Sequence, residues 1–577
     1  MLVFLRRNAF QLVSVLVILA LAFNRLFYGV ELTDESFYYS TSYRYLQGNT
    51  PFYDAWDGAI GSSLLSLPFF ALYRFIVGST QGIVLFSRIS FFCFMLFVGF
   101  TMYNSIKSVY GHHISSLAAT VLIVFAPFSL YNWSYNNLSF ALFITGLFLL
   151  ACSLQTNTQK KEQTAQVLAG ICFALMVFSY ITHALTCLFV AILFFIVAWK
   201  SKKSLRKGLK AISFVTIGGF GIAVFLTIVL LMVTQGNLFK YLPNILNNKA
   251  IAVGGNSMAE LILNTIKHTL RFIMQYWAAF AISVAGILVV QVLAKRNKYF
   301  CVITPFFFLI ALFWFSSISP SYAVTDFVAF CGILWTLWIP FINKYSEKTR
   351  TLYWLLGIGG IFGFICVAGT SGGGAVQGKY MLFCLLLAVL MPILEDITQL
   401  PDTTGKHFLA CIPALLLSGS LLFLWYSDIY REKPINQLTK KVEQGIYKGI
   451  YTTPERANMI ENLEAELKNL QKSGGNVLFL GTSPYAYTMV DMKPTTPTTW
   501  RVAFYSDVYY DWFPVYYACG EDFKPDQIFF LEDETYQDFI KNPDLELSQI
   551  LLRDYTFTME SIDNSGTYHI RLFVRNK

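Results

Sequence analysis

The sequence predicts a polytopic α-helical membrane protein, with about 13 spans in residues 1–430, followed by a soluble α/β domain in residues 431–577. Three observations predict this. Of the 577 residues, 55% are hydrophobic and 13% charged, where an ordinary soluble domain carries roughly 25% charged residues. Apolar runs long enough to cross a bilayer core recur down to about residue 430. Beyond Tyr430 the runs shorten and alternate with polar segments.

The first run, 4–28, is too long for a signal-peptide core and no small-residue cleavage site follows it, so it reads as a retained helix. Further runs fall near 82–104, 115–131, 135–155, 165–181, 183–199, 209–233, 270–294, 299–317, 322–342, 351–369, 379–395 and 406–426. Within the loop 29–80, "SSLLSLPFFALYRFIV" is apolar but interrupted by Pro68 and Arg74, which predicts an interfacial or re-entrant helix. With the N-terminus and its Arg6 and Arg7 in the cytoplasm, Lys160, Lys161, "KSKKSLRKGLK", "AKRNK" and "NKYSEKTR" all become cytoplasmic, as the positive-inside rule asks. The loops 29–80, 131–135, 181–183, 234–269, 317–321 and 370–378, and everything after about 427, are then extracytoplasmic. These short basic loops account for the net charge of +9 without nucleic acid as a partner.

In the tail, "PERANMIENLEAELKNLQK" predicts an amphipathic helix over 454–472, and strands are expected at "GGNVLFLGTS", "QIFFL" and "YHIRLFV". The first strand is not followed by a GxGxxG fingerprint, so acceptor recognition or scaffolding is expected there rather than cofactor binding. Of the ten cysteines, Cys519 alone lies in the tail; the others sit in or beside apolar runs without metal-ligand spacing.

Residues that carry chemistry collect at the outer rim. "GVELTDESFYYSTSYRYLQGN", residues 29–49, places Glu31, Asp34 and Glu35 where the first run stops. A rim carboxylate is solvated yet close to lipid headgroups, and is placed to take a proton from an acceptor hydroxyl. The same acids also suit a helix N-terminus, with Thr33 or Asp34 as N-cap. Asp54, Trp56 and Asp57 in "FYDAWDGAIGSS" combine carboxylates with an aromatic face, a surface for sugar or acceptor; an Asp turn with an interfacial Trp reads equally well. "YNWSYNNLSF" brings Tyr135 and Asn136, with further asparagines, to an outer junction where they should face a cavity. His183 follows at the next outer junction. Lys267, His268, Arg271 and Lys379 are cations on the side where the topology does not call for them, and suit a lipid phosphate. Gly373 to Lys379 has the outline of a P-loop, but Tyr380 stands where Ser or Thr should bind Mg²⁺, which excludes nucleotide and leaves a glycine loop able to wrap a phosphate. Arg88, inside its run, is a further phosphate partner or a snorkelling cation.

An acidic "DE" leading into an aromatic-rich helix in the first outer loop resembles the GT-C glycosyltransferases, especially the branch of protein O-mannosyltransferases and bacterial aminoarabinose transferases. The resemblance is specific at "LTDESFYYSTSYRYLQGNTPFYDAWDG" and extends to the layout of about the first 430 residues. It implies Asp34 as the catalytic base, Glu35 as its acidic neighbour, and a polyprenyl-phosphate or polyprenyl-diphosphate sugar as donor. The expected reaction inverts the anomeric carbon and delivers the sugar to an extracytoplasmic glycan, lipid or protein. The expected partners are that donor, that acceptor and the membrane lipids. No cofactor is required by this scheme, although a divalent metal ion is an alternative to the basic residues at the phosphate. A transporter or flippase of lipid-linked sugars would instead place acids and cations in mid-membrane, and a non-catalytic envelope scaffold would leave the polar rim unexplained.

Overall fold

A computed structural model describes residues 2–57, 59–156, 158–246, 258–296, 298–304, 306–309, 322–370, 374–400, 404–471, 475–502, 512–562 and 569–576. The first helices are α1 (Leu2–Arg25), α2 (Asp34–Tyr43), α3 (Ile60–Val77), α4 (Ile83–Ile123), α5 (Tyr135–Gln155), α6 (Gln159–Ser179), α7 (Ala184–Lys202) and α8 (Leu205–Val233). Among the described residues, 10 helices are long and apolar enough to cross a membrane, and the shorter apolar helices Phe10–Arg25 and Cys411–Ser427 join them.

Several runs differ in detail from the sequence reading. The runs at 82–104 and 115–131 belong to one helical stretch, α4, broken at Gly111 with φ 80° and ψ 168°, a conformation that glycine adopts without steric cost. Helix ends at Ile123, short of the expected 131, because Pro127 opens a 3₁₀ turn there. The run at 270–294 divides into Met258–Gln275 and Trp277–Arg296. That at 322–342 starts as an α-helix, Ala323–Ile333, and tightens to 3₁₀ over Leu334–Lys344 around Pro340. Residues 310–321, which include the second part of the run predicted at 299–317, and parts of the outer loops at 247–257 and 371–373 lie outside the described residues.

Helix α3 is fastened at both ends to the same end of the bundle. At its start Gly61 abuts the end of α6, where a Cβ would stand 1.6 Å from the Phe178 carbonyl oxygen. Near its finish Arg74 donates to the Tyr43 hydroxyl at 2.9 Å and pairs with Asp491 of the tail at 3.5 Å. Helix α3 is itself one of the 10 helices long and apolar enough to cross a membrane, where Pro68 and Arg74 led the sequence reading to an interfacial helix, and its Phe69, Leu72, Phe75 and Ile76 are exposed.

The tail carries a two-stranded pair, β1 (Lys440–Lys441) with β2 (Tyr451–Thr452), and a five-stranded mixed sheet. Its strands are β3 (Asn476–Leu480), β4 (Lys493–Pro494), β5 (Gln527–Phe530), β6 (Tyr555–Ile562) and β7 (His569–Arg575), in the order β4-β3-β5-β7-β6. β3 runs parallel to β4 and β5, whereas β7 is antiparallel to β5 and β6. Along β3, Val477 and Phe479 pack with Ile460, Leu463 and Leu467 of the helix Pro454–Leu470, and Leu478 and Leu480 pack with Phe539 and Leu551. A strand covered on both faces reads as a continuous apolar run, which is why "NVLFL" stands out in the sequence. The helix itself opens on Pro454, with the Thr453 side chain accepting from the Arg456 amide.

The tail is sewn onto the first loop. The Gly29 amide donates to the Tyr451 carbonyl at 2.9 Å and the Tyr451 amide to the Phe27 carbonyl at 2.7 Å. Further on, the Gly82 amide reaches the Gly445 carbonyl at 2.9 Å and the Trp56 amide the Pro497 carbonyl at 2.8 Å. One apolar cluster holds Val30, Tyr39, Tyr43, Phe70 and Ile83 of the loop region together with Ile446, Tyr447 and Leu463 of the tail.

Candidate functional site

The three rim acids take three different positions around the start of α2. Glu31 is 3% exposed; its carboxylate accepts the Thr33 amide at 3.0 Å, the Glu35 amide at 2.6 Å and the Thr33 hydroxyl. It caps the first turn, the task the sequence assigned to Thr33 or Asp34, because a side chain three residues upstream reaches the orphan N–H groups. Burial, reinforced by the charge of Asp34, pushes the Glu31 carboxyl up to about 7. Glu35 is 2% exposed and forms a two-pronged pair with Arg88, at 2.8 Å and 2.5 Å. Arg88 also donates to the Leu26 and Gly29 carbonyls, each at 2.8 Å, so it is a clamp on the end of α1 and has no donor left over for a lipid phosphate. Asp34 keeps 23% of its side-chain surface exposed. Its Oδ2 accepts from the Tyr430 hydroxyl at 2.5 Å and stands 3.2 Å from Arg431.

Beside these acids a crevice of about 20 Å³ is lined by Arg25, Glu31, Glu35, Arg88, Ser129 and Tyr430 among others, room for about one water. Asp428, just past the last apolar helix, is buried and receives the Ser129 hydroxyl at 3.4 Å on one oxygen. Burial pushes its carboxyl up to about 7.

Two aromatic walls run from Asp34 and meet at Tyr380. On one side Tyr38, a turn after Asp34, stacks edge-on against Tyr135 at 5.5 Å; Tyr135 meets Tyr180 at 4.6 Å, and Tyr180 meets His183 at 5.6 Å. His183 Nε2 lies 3.2 Å from the Tyr380 hydroxyl. On the other side Tyr430 and Arg431 neighbour Tyr322, which meets Phe128 at 6.1 Å, and Phe128 meets Tyr380 at 5.9 Å. Next to Tyr380, Lys379 donates to Asp326 at 2.7 Å and lies 4.6 Å from the centre of the Phe272 ring. Lys379 and His268 stand on the wall of a largely apolar cleft of about 190 Å³. Lys267 and Arg271, on the same helix as His268, are exposed. Asn136 is buried at the start of α5, and its side-chain oxygen makes no hydrogen bond among the described residues. Asp34, Tyr135, His183 and Lys379, which the sequence reading placed in separate outer segments, are thus linked by one run of contacts.

Asp54, Trp56 and Asp57 are not part of that surface. All three are buried, at 1%, 0% and 4% exposure, and Trp56 has no open face for a sugar because Tyr516 of the tail packs edge-on against it at 5.2 Å. Asp54 pairs with Lys493 at 3.4 Å, and Asp57 pairs with Arg44 at 3.3 Å. Burial pushes the Asp57 carboxyl up to about 6 against the pull of Arg44. These residues seat the tail on the loop.

Tyr430 and Arg431 beside Asp34, Asp326 beside Lys379, and Arg44 in the seam between loop and tail went unmarked in the sequence. The outer-cation argument that singled out Lys379 applies equally to Arg44 and Arg431, and would have found them. Among the described residues no group of three or more His, Cys, Asp or Glu side chains is placed to hold a metal ion.

No protein-family model and no curated protein matches the chain. Among solved structures it is similar to the archaeal oligosaccharyltransferase AglB from Archaeoglobus fulgidus in complex with an inhibitory peptide and a dolichol-phosphate, at 12% identity and a TM-score of 0.46, covering 98% of this chain and 74% of that one. It is similar to the Archaeoglobus fulgidus oligosaccharyltransferase tethered with an acceptor peptide at 12% identity and a TM-score of 0.44, with the same coverage of 98% and 74%. ArnT from Cupriavidus metallidurans in the apo state is similar at 10% identity and a TM-score of 0.40, with 98% of each chain covered. Both kinds of protein are GT-C membrane glycosyltransferases.

Proposed function

We propose that this protein is a membrane glycosyltransferase that moves a sugar from a polyprenyl-phosphate or polyprenyl-diphosphate donor to an extracytoplasmic acceptor, with inversion. The observation that carries this reading is the division of labour among the rim acids: Glu31 is consumed by capping and Glu35 by Arg88, while Asp34 stays partly exposed beside an aromatic basin. In the reaction the acceptor oxygen attacks the anomeric carbon as the bond from that carbon to the donor phosphate oxygen breaks. The acceptor proton passes to Asp34, and the electron pair of the broken bond stays on the phosphate. Phosphate leaves readily, so no general acid is demanded.

Lys379 and His268 suit the leaving phosphate, because a charged end beside an apolar cleft matches a lipid phosphate and its chain. Lys267 and Arg271 extend the cationic approach to the same place. Aromatic faces at Tyr38, Tyr135 and Tyr180 offer stacking for the sugar. In this proposal the sheet domain is outside the cell, the N-terminus is cytoplasmic, and the basic residues rather than a metal neutralise the phosphate.

The test is transfer of a radiolabelled sugar from purified lipid donor by Asp34→Asn. Turnover is expected to vanish with thermal stability near wild type; turnover retained by the variant overturns the base assignment.

A further inference from the structure

At the end of the bundle away from the sheet domain, the first turns of α6 and α8 and the last turn of α7 surround a cavity of about 480 Å³. Its wall includes Gln159, Glu162, Gln166, Lys202, Lys207 and Lys210. Lys202 pairs with Glu162 at 3.3 Å, which neutralises the acid. Lys207 and Lys210 meet no carboxylate among the described residues. Three lysines against one glutamate leave the wall at +2.

One helix adds to that charge. The N-terminal turns of α6 and α8 both border the cavity; at α8 the Ser204 side chain accepts from the Lys207 amide, whereas the Thr158 side chain caps nothing, so α6 presents uncapped N–H groups. That open helix end and two unpaired ammonium groups converging on one concavity favour an anion with several acceptor oxygens. Topology alone does not account for this arrangement: Lys160, Lys161, Lys203 and Arg206 belong to the same basic loops yet stand off the cavity wall.

The apolar side of the cavity, Ala211 and Phe214, leads along α8 to Ile217, Phe220 and Phe225, all exposed. A cationic head pocket at the foot of an exposed apolar helix face has the polarity of a phospholipid. We propose that this cavity binds the phosphate-bearing headgroup of an anionic membrane lipid, with the acyl chains lying on α8. Free phosphate compounds share the headgroup's chemistry, and the acyl chains distinguish the two sources.

The experiment titrates the full chain, purified in neutral detergent, with dioctanoyl-phosphatidylglycerol, dioctanoyl-phosphatidylcholine or sodium pyrophosphate, and follows thermal unfolding by intrinsic fluorescence. Phosphatidylglycerol is expected to raise the Tm saturably, phosphatidylcholine to leave it unchanged, and pyrophosphate to act about tenfold more weakly or worse. The double variant Lys207→Gln, Lys210→Gln should weaken phosphatidylglycerol about tenfold or more. Lys160→Gln, Lys161→Gln removes the same charge at the same end and should leave the affinity unchanged. Half-molar salt applied to the wild type should abolish the shift, a readout that needs no variant. Equal weakening by both double variants, stabilisation by phosphatidylcholine, or a shift that survives salt overturns the proposal. Protection by pyrophosphate equal to that by phosphatidylglycerol overturns the lipid assignment in favour of a free phosphate ligand.

Discussion

Asp34 is held by a residue from the far end of the chain. The Tyr430 hydroxyl donates to it at 2.5 Å, and both belong to segments that the sequence separates by 396 positions. Such a charge-assisted bond is worth about 1.5–3 kcal/mol, so on the function proposed above Tyr430→Phe should lower kcat about 10- to 100-fold with little change in KM, because the group oriented is the proposed base and not a substrate-binding surface. Steady-state kinetics on both substrates check this, and an equal loss in KM would speak against it. Glu31 gives a pH signature instead. Its folded carboxyl titrates near 7, above an ordinary glutamate, so the folded state binds the proton more tightly than the unfolded chain. Stability from this group is therefore present at acid pH and lost as pH rises from about 4.5 to about 7. Glu31→Gln should flatten that part of the Tm profile by comparison with wild type in scanning fluorimetry; an unchanged slope would refute it.

Helix packing in this molecule depends on glycines where backbones touch. Gly61 meets the Phe178 carbonyl, and between α6 and α8 a Cβ on Gly170 would lie 2.0 Å from the Val215 carbonyl oxygen. Small residues let helices approach where lipid offers no hydrophobic drive for association. Gly61→Val should cost about 1–3 kcal/mol or more through overpacking. Gly221→Ala, on α8 with nothing within 4 Å of the added Cβ, should leave the thermal unfolding midpoint in detergent unchanged or slightly raised. Much at this scale was legible. The period of the tail helix gave its bounds to within two residues, Pro454–Leu470 against 454–472. What the separate runs at 82–104 and 115–131 did not show is that helix fills the gap between them on both sides of Gly111, because Lys107, His112 and His113 interrupt the apolar pattern without ending the helix.

Across the whole molecule, the first loop and the tail form one body. Arg44 is the pin: fully buried, it donates to the Asn49 side chain at 2.9 Å, the Asp54 carbonyl at 3.0 Å and the Thr496 carbonyl at 2.7 Å, besides its pair with Asp57. Arg44→Ala should cost about 3–5 kcal/mol by leaving Asp57 buried and unpaired, and limited proteolysis should then cut around residues 490–500, which are protected in the wild type. An unchanged digestion pattern would deny Arg44 that role. The burial of Asp54, Trp56 and Asp57 has its cause here. Asp54 meets Lys493 at a separation of 439, Trp56 meets Tyr516 of the tail, and the Arg44 that pairs with Asp57 is itself tied to Thr496 at a separation of 452, whereas a loop read by itself gives polar and aromatic residues to solvent. The sequence assigned Asp34, Tyr135, His183 and Lys379 to the outer loops by sidedness alone, and the aromatic contacts that connect them depend on tertiary pairing that no single loop displays.

The seat of α2 on α3 carries a final consequence. Ser42 and Ser66 share a hydrogen bond at 2.7 Å, and Arg74 reaches from α3 to Tyr43 of α2 and to Asp491 of the tail. On the function proposed above, the carboxylate of Asp34 is thereby moored to α3 and to the tail at once, and a shift of α3 would carry it along.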